Sequence, residues 1–470
     1  MKPDRVKMQA SMERLLEGFE PDFVFEPPPP LPEAEFAERL RRIRRQAAVE
    51  ELDAIVLHCD QIGWYHTSNS YLRYVCDWMR EGMLIVPTDA DKGLQLLSFF
   101  SDSVLLPPAG EPLLVEDIWQ VGPWGREALD RPGSPIVKAA EGCAGILRRF
   151  GLGRGRIGLV GDKTSRDYFA ALGKLLPDCA FADANAIVDN LQRRRSRAEQ
   201  ARLRAAAQLI DIGLQAAYHV TRPGVADREI YAAFTFAQLA RGGETGDGYQ
   251  IGVNRYGTHC GKPYGHVVRP GDLINIYVSN VTYQGYFAQS ARMIAVGDLT
   301  REQEAVLEMT TDAVRRAERL IRPGVAMSDL HAAAFTAYTE RGYLKDDRTR
   351  TMPFNWAAQD DGTPRRIPSA DVEDIDWQAQ GRRLSHVYPP LKGPHNPNLG
   401  HAVGMPKMPV FNVSSHNCDR AEEGMVFVLH AQWLDPLKAG SNIGDCYLVT
   451  DDGYERLTCH TALDVHRVAV

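Results

Sequence analysis

The sequence predicts a two-domain α+β protein, in which a smaller α/β domain precedes a larger domain built from two related halves. Short apolar segments typical of strands alternate with helical patterns up to about residue 192. Beyond that point a helix–turn–helix unit recurs at an offset of 100 residues, which indicates a pseudo-two-fold domain. We therefore expect an arm over residues 1–31, a first domain over 32–192 and a second domain over 193–470.

Composition narrows the class of protein. The chain has 470 residues, of which 44% are hydrophobic and 24% charged, as is ordinary for a globular protein with a large core. A net charge of −7 without a basic tail argues against a nucleic-acid partner. No apolar run is long enough to cross a membrane, and eight scattered cysteines suit a reducing compartment. We expect a cytoplasmic protein with no membrane partner.

The arm and the first domain follow from local patterns. Residues 1–31 are polar and end in a run of four prolines, Pro27 to Pro30, which favours a stiff extended segment. This arm could pack on a partner subunit. In the first domain we expect helices over residues 35–51, 134–150 and 164–176 and strands over residues 54–57, 82–86, 94–97 and 156–160.

The repeat in the second domain is the strongest internal signal. The motif Arg-Pro-Gly-Val-Ala begins at Arg222 and again at Arg322, and a long amphipathic helical pattern precedes each copy. Proline ends one helix, and Asp227 or Ser328 is expected to cap the next. The alternative is a coincidental match between two ordinary helix–turn–helix units.

Two apolar segments between the repeats predict a pair of strands, residues 271–278 and 285–292. Side chains alternate between the two faces of a strand, so Tyr277 and Gln289 are expected to point inward. Other motifs follow in order: Gly271-Asp272-Leu273, Gly400-His401-Ala402-Val403-Gly404, Glu423-Gly424-Met425-Val426-Phe427 and Leu448-Val449-Thr450-Asp451-Asp452-Gly453.

This ordered set, with the helical repeat, resembles the pita-bread family of methionine aminopeptidase, prolidase, aminopeptidase P and creatinase. The resemblance covers roughly residues 195–470 and implies an α+β pita-bread domain. The preceding α/β domain resembles the one carried by the prolidase and creatinase branches. The family's five metal-ligand positions fall on Tyr277, Gln289, His401, His430 and Gly444.

Only His401 keeps the ligand type that the resemblance implies. Two hard cations need bridging carboxylates, which tyrosine, glutamine and glycine cannot supply. In this respect the chain is closest to the creatinase branch, which works without metal, and we expect no metal and no other cofactor. The resemblance implies a general acid and base at His259, because an imidazole with a pKa near ~6.5 exchanges protons at neutral pH.

These expectations combine into a functional hypothesis. The creatinase positions for two carboxylates are Ala291 and His430, so the pocket suits an anionic or neutral ligand better than a cation. We expect a metal-independent, creatinase-like hydrolase that cleaves a C–N bond of a small polar metabolite. His259, His401 and His430 would be catalytic, with Tyr277 and Gln289 binding the substrate.

Three alternatives stay open. A lyase of the same fold could eliminate a group from a small carboxylate substrate. The three histidines could instead hold a single metal ion, or the domain could be a non-catalytic binding protein.

Further expectations concern a homodimer. In the creatinase branch a loop of one subunit reaches the partner's active site with an aromatic residue and an arginine, and the resemblance places Trp78 and Arg80 there. A packed tryptophan and a solvated arginine are the alternative. Residues 345–392 form an insert rich in charge and proline, which we expect to act as a lid or dimer contact.

Overall fold

The computed structural model describes most of the chain, and two compact units divide it. One unit is Pro29–Arg193 with Met405–Val410, and the other combines residues 1–28, 194–404 and 411–470. None of the helices in the described part is long and apolar enough to cross a membrane. The described residues are 13–58, 70–78, 82–98, 113–120, 134–161, 166–244, 249–254, 263, 265–342, 356–358, 364–366, 398–405, 410–435 and 439–470.

The first unit is an α/β domain around a six-stranded sheet of order β4-β3-β2-β1-β5-β6. The β1–β2 and β2–β3 pairs are antiparallel and the others are parallel. The central strands are buried along their length, which explains why continuous apolar runs predicted them. Its strands are β1 Ala54–His58, β2 Gly82–Pro87, β3 Gln95–Ser98, β4 Asp117–Gln120, β5 Arg156–Val160 and β6 Ala180–Asp183; its helices are α1 Glu33–Val49, α2 Ser70–Cys76, α3 Ser134–Arg149, α4 Arg166–Leu175 and α5 Asn185–Leu191.

The second unit is built on a nine-stranded sheet with the order β13-β12-β14-β15-β9-β8-β7, to which β16 and β17 pair at β15 and β9. Two long antiparallel hairpins, β8–β9 and β14–β15, form its centre. The strands are β7 Tyr249–Val253, β8 Leu273–Tyr283, β9 Tyr286–Val296, β12 Gly400–Ala402, β13 Asn412–Val413, β14 Val426–Asp435, β15 Ala439–Val449, β16 Tyr454–Arg456 and β17 His466–Val468; a separate pair comprises β10 Trp356–Ala358 and β11 Pro364–Arg366.

The helical repeat gives this unit its pseudo-two-fold organisation. Helix α6 Arg197–Val220 precedes α7 Asp227–Leu239, and α8 Arg301–Glu318 precedes α9 Met327–Thr339. Helix α6 packs on the β8–β9 hairpin, whereas α8 packs on the β14–β15 hairpin. Each repeat therefore covers one hairpin with its long helix, and the predicted pita-bread architecture is confirmed.

The predicted caps of the second helices are wrong, by one position at Asp227 and by two at Ser328, because the N-caps are Ala226 and Ala326. Helix α7 begins at Asp227 itself, and the Glu229 carboxylate accepts a hydrogen bond from the Ala226 N–H at 2.8 Å. Asp227 is engaged elsewhere, because its Oδ1 accepts from the Gly265 N–H at 2.9 Å. Helix α9 likewise starts before Ser328, at Met327.

Candidate active site

Tyr277 and Gln289 face each other inside the sheet, as strand alternation predicts. Tyr277 on β8 is 7% exposed, and Gln289 on the neighbouring β9 is 1% exposed. Gln289 Nε2 donates a hydrogen bond to Tyr277 Oη at 2.5 Å. Burial raises the pKa of the Tyr277 phenol, so the hydroxyl keeps its proton at neutral pH. The two side chains together form a buried, neutral polar pair.

Cys446 on β15 fixes the backbone of Gln289. The Gln289 N–H donates to Cys446 Sγ at 3.2 Å, and the thiol donates to the Gln289 carbonyl at 2.9 Å. Burial raises the pKa of Cys446 to about 12, so the thiol stays protonated and acts as a packing and hydrogen-bonding group. Gln289 is therefore held by a strand that comes from the other hairpin.

Two histidines extend this polar surface across the sheet. His430 on β14 is 2% exposed, and its ring centroid lies 6.0 Å from that of Tyr277 and 5.5 Å from that of His401. His401 on β12 donates from Nδ1 to the Ala402 carbonyl at 2.9 Å, which leaves Nε2 as the acceptor of the neutral ring. Burial lowers the pKa of His401. Four of the five predicted positions thus converge.

The fifth position, Gly444, has no room for a side chain. It pairs with His430 on β14 and with Ala291 on β9. A Cβ built on Gly444 would lie 2.5 Å from the Leu429 carbonyl oxygen and 2.7 Å from His430 Cβ. Both distances are shorter than a real Cβ contact allows, so glycine is the residue that this close approach of β14 and β15 requires.

The residues present do not fit a pair of bridged metal ions. Across the described ranges, no group of three or more histidine, cysteine, aspartate or glutamate side chains is placed to hold a metal. Tyr277 stays protonated, Gln289 is engaged with it, and Gly444 offers no ligand atom beyond its backbone. The nearby carboxylate of Asp445 is bound by Arg292 at 2.6 Å.

Asp272 has a role that sequence reasoning missed. Its Oδ2 lies 2.6 Å from His266 Nε2 and accepts from the Arg269 N–H at 2.8 Å, while its Oδ1 accepts from Asn254 Nδ2 at 2.9 Å. Asp272 therefore ties residue 254, at the end of β7, to the segment that enters β8. The Gly-Asp motif before a strand was the available signal, but it served only as a landmark of the resemblance.

Several predicted residues cannot be placed. His259 and Arg80 lie outside the described residues. Of the insert over residues 345–392, the structure describes only β10 and β11. Trp78 precedes β2 and is 8% exposed in the first unit. The roles of His259, Trp78 and Arg80, the homodimer and the cytoplasmic location stay predictions.

Comparison with known proteins decides the family. Residues 201–451 match the profile of metallopeptidase family M24. The chain belongs to this family. It is 23% identical over 303 residues to a Xaa-Pro dipeptidase of Lactobacillus delbrueckii subsp. lactis (63% of this chain, 68% of the relative) and 25% identical over 293 residues to an uncharacterized peptidase of Staphylococcus aureus strain MW2 (59% and 66%). The match thus spans about two thirds of the length of these two relatives.

Solved structures show the same fold. A Xaa-Pro dipeptidase from Bacillus anthracis superposes with a TM-score of 0.66 at 18% identity, covering 92% of this chain and all (100%) of that one. An X-Pro aminopeptidase from Thermotoga maritima MSB8 gives a TM-score of 0.68 at 16% identity, covering 91% and 99%. At these identities the likeness establishes the M24 fold with its smaller N-terminal domain.

These findings correct the functional hypothesis drawn from the sequence. The hypothesis of a metal-independent, creatinase-like enzyme that is not a peptidase is wrong, because the matching family is a metallopeptidase family and the Lactobacillus relative is a Xaa-Pro dipeptidase. The lyase alternative finds no support among them. A hydrolase of the M24 family is supported, whereas the finer placement in the creatinase branch stays a prediction.

Proposed function

We propose that this M24 protein hydrolyses the amide C–N bond of a short peptide, with Xaa-Pro dipeptides as the first substrates to test. The observation that carries the proposal is the convergence of Tyr277, Gln289, His401 and His430 on one buried surface. That surface lies at the positions where the family resemblance puts its active site. The names of the relatives supply the class of bond.

In this proposal Tyr277 and Gln289 act on the carbonyl side of the scissile bond. A protonated phenol that accepts a hydrogen bond can also donate one, and the Gln289 amide fixes where the oxygen lies. A buried donor of this kind stabilises the negative charge that develops on the carbonyl oxygen during attack. Tyr277 is thus the hydrogen-bond donor, and Gln289 holds it in place.

The two imidazoles act on the nitrogen side. The amide nitrogen of the scissile bond is the proline ring nitrogen, which carries no hydrogen, so it must gain a proton to leave as an amine. His401 and His430 are the described side chains of the cluster that could take the proton lost by the attacking water and pass it to this nitrogen as its bond to the carbonyl carbon breaks. A metal ion of the family would supply a polarised water when bound, but the described donors do not fit a bridged pair.

The test is a peptide panel with a matched pair of variants. Purified full-length protein is incubated with Xaa-Pro dipeptides, Xaa-Pro tripeptides and dipeptides without proline, as isolated, after chelation and after addition of Mn²⁺, Zn²⁺ or Co²⁺. Released amino acids are measured by mass spectrometry. Tyr277→Phe is expected to lower kcat roughly 10²-fold, whereas Tyr338→Phe, at another buried tyrosine (1% exposed, on α9), leaves it unchanged.

Failure to cleave any peptide under any of these metal conditions would overturn the proposal. Cleavage with equal activity in Tyr277→Phe would overturn the assigned role of the phenol while leaving the reaction class in place.

A further inference from the structure

The N-terminal arm packs against other parts of the second unit, to which residues 1–28 belong. The Asp22 N–H donates to Gln215 Oε1 at 3.1 Å, and Gln215 Nε2 donates back to Asp22 Oδ1 at 2.5 Å. The Phe23 ring stacks on His460 with centroids 3.7 Å apart and 14° between the planes. Two further ring contacts flank this pair, Phe19 with His219 and Phe25 with Tyr283. The described part of the arm is therefore bound in cis.

The contacts of Asp22 and Phe23 lead to residues 458–461, which we call the 458–461 segment. Gln215 Nε2 also donates to the His460 carbonyl at 3.1 Å. One turn earlier on α6, Asp211 accepts from the His460 N–H at 3.0 Å and from Thr461 Oγ1 at 2.5 Å. The segment is thus held by hydrogen bonds with α6 and by the stacked ring of Phe23.

The 458–461 segment in turn binds the buried guanidinium of Arg292. Arg292 Nη2 donates to the carbonyls of Thr461 at 3.2 Å and Thr458 at 3.4 Å, and the Thr458 hydroxyl donates to Asp445. The other guanidinium nitrogen, Nη1, donates to the Gly444 carbonyl at 2.7 Å. Arg292 follows Gln289 by three positions on β9, so it lies directly behind the candidate site.

A buried guanidinium depends on every acceptor around it, because an unsatisfied charge in a low-dielectric interior is costly. Two of the acceptors of Arg292 Nη2 are backbone carbonyls of a segment without regular secondary structure. Such a segment keeps its place only through its own contacts, and the arm provides one of these contacts, the stack of Phe23 on His460.

We propose that residues 22 and 23 of the arm form an in-cis clasp that positions the 458–461 segment and, through Arg292, the strands β9 and β15 beneath the candidate site. Asp22 and Phe23 are then positioning residues, which act on the site without touching substrate. This role goes beyond the proposed function and does not depend on which bond is cleaved.

The clasp is tested by amide hydrogen exchange of the full-length protein. The variants are Phe23→Ala, the conservative Phe23→Tyr, and Val24→Ala, which removes a neighbouring arm side chain that is 82% exposed. Phe23→Ala is expected to speed exchange in residues 289–292 and 442–446 by roughly tenfold or more. Exchange in α9, which carries none of the arm contacts above, is expected to stay as in the wild type.

The two controls make the result specific. Phe23→Tyr retains the aromatic stack and is expected to restore wild-type exchange, as is Val24→Ala. Unchanged exchange in β9 and β15 of Phe23→Ala would overturn the proposal. So would an equal acceleration throughout the chain, because the arm would then stabilise the fold only in general.

A kinetic measurement separates this inference from the proposed function. With a peptide substrate in hand, Phe23→Ala is expected to lower kcat at least about fivefold while KM stays within about twofold. An unchanged kcat would overturn the positioning role. If no peptide is cleaved, the proposed function fails, yet the exchange experiment still decides whether the clasp exists.

Discussion

Arg292 and Asp445 form an ion pair that is fully buried immediately behind the candidate site. Arg292 Nη2 lies 2.6 Å from Asp445 Oδ1, and both side chains are 0% exposed. The pair joins β9 to β15, so the strand that carries Gln289 is bound to the strand that carries Gly444. It links the two hairpins of the second unit where the site residues meet.

Removal of the Asp445 charge is expected to destabilise the second unit strongly. In Asp445→Asn the Arg292 charge stays buried without its counter-ion, a loss that typically costs about 3–5 kcal/mol. Urea unfolding followed by the fluorescence of the tryptophans measures the change. The matched control is Glu304→Gln at the exposed Arg467–Glu304 pair, which is expected to cost about 0–1 kcal/mol. Equal effects of the two variants would contradict the prediction.

Gly444→Ala is expected to strain the contact between β14 and β15. The added methyl group would meet the Leu429 carbonyl oxygen at 2.5 Å and His430 Cβ at 2.7 Å, and overpacking of this kind costs about 1–3 kcal/mol. Gly453→Ala is the control, because its Cβ would meet nothing closer than Thr450 Oγ1 at 4.0 Å. Thermal unfolding of both variants shows whether the loss is confined to Gly444→Ala.

Stability is expected to depend on pH through Asp211. Burial raises its pKa from 3.8 to about 7, although the Thr461 hydroxyl and the His460 N–H oppose the shift. The folded state therefore binds the proton more tightly than the unfolded state. Its contribution to the free energy of unfolding falls as pH rises from 3.8 to about 7 and is constant above that range.

Asp211→Asn removes this titration, so the variant is expected to show a flatter profile across the same range. The difference in slope between wild type and variant can reach about 1.4 kcal/mol per pH unit. Urea unfolding measured at several pH values from acid to neutral tests this. Parallel profiles for the two proteins would show that Asp211 keeps an ordinary pKa.

Loss of the Gln289 side-chain amide is expected to reduce peptide hydrolysis moderately. Gln289→Met keeps the volume but removes the donor to Tyr277, and one neutral hydrogen bond corresponds to roughly 3–10-fold in rate. The control is Gln238→Met at another buried glutamine, which is 4% exposed at the end of α7. The measurement is kcat/KM on the best peptide of the panel. A wild-type value in Gln289→Met would contradict the positioning of Tyr277 by Gln289.

The sequence predicted those features that depend on local periodicity. Alternation along two strands was enough to bring Tyr277 and Gln289 to one face, and the helical repeat predicted the pseudo-two-fold organisation. The ion pair of Arg292 with Asp445 lay beyond this reasoning. Arg292 and Asp445 lie on strands that are distant in sequence, and a periodic pattern does not encode which residues of such strands pair.

The remaining differences have equally specific causes. Asp227 was predicted as a cap because local rules ignore the distant Gly265 N–H that engages its carboxylate. The sequence indicated an arm but not where it docks, because its ring contacts are made with residues such as His460, far along the chain. The functional hypothesis failed because the changed residues at the metal-ligand positions were taken to imply a changed class of reaction. The match to a metallopeptidase family overturned that inference.

The narrow gap at Gly444 bears on how this site could change over evolutionary time. A carboxylate at this position would require β14 and β15 to separate first, so no single codon change can install one at low cost to the fold. New carboxylates at Tyr277 and Gln289 would still face this closed strand pair. Directed evolution toward a side-chain ligand at position 444 would therefore have to begin with the sheet backbone rather than with the ligand itself.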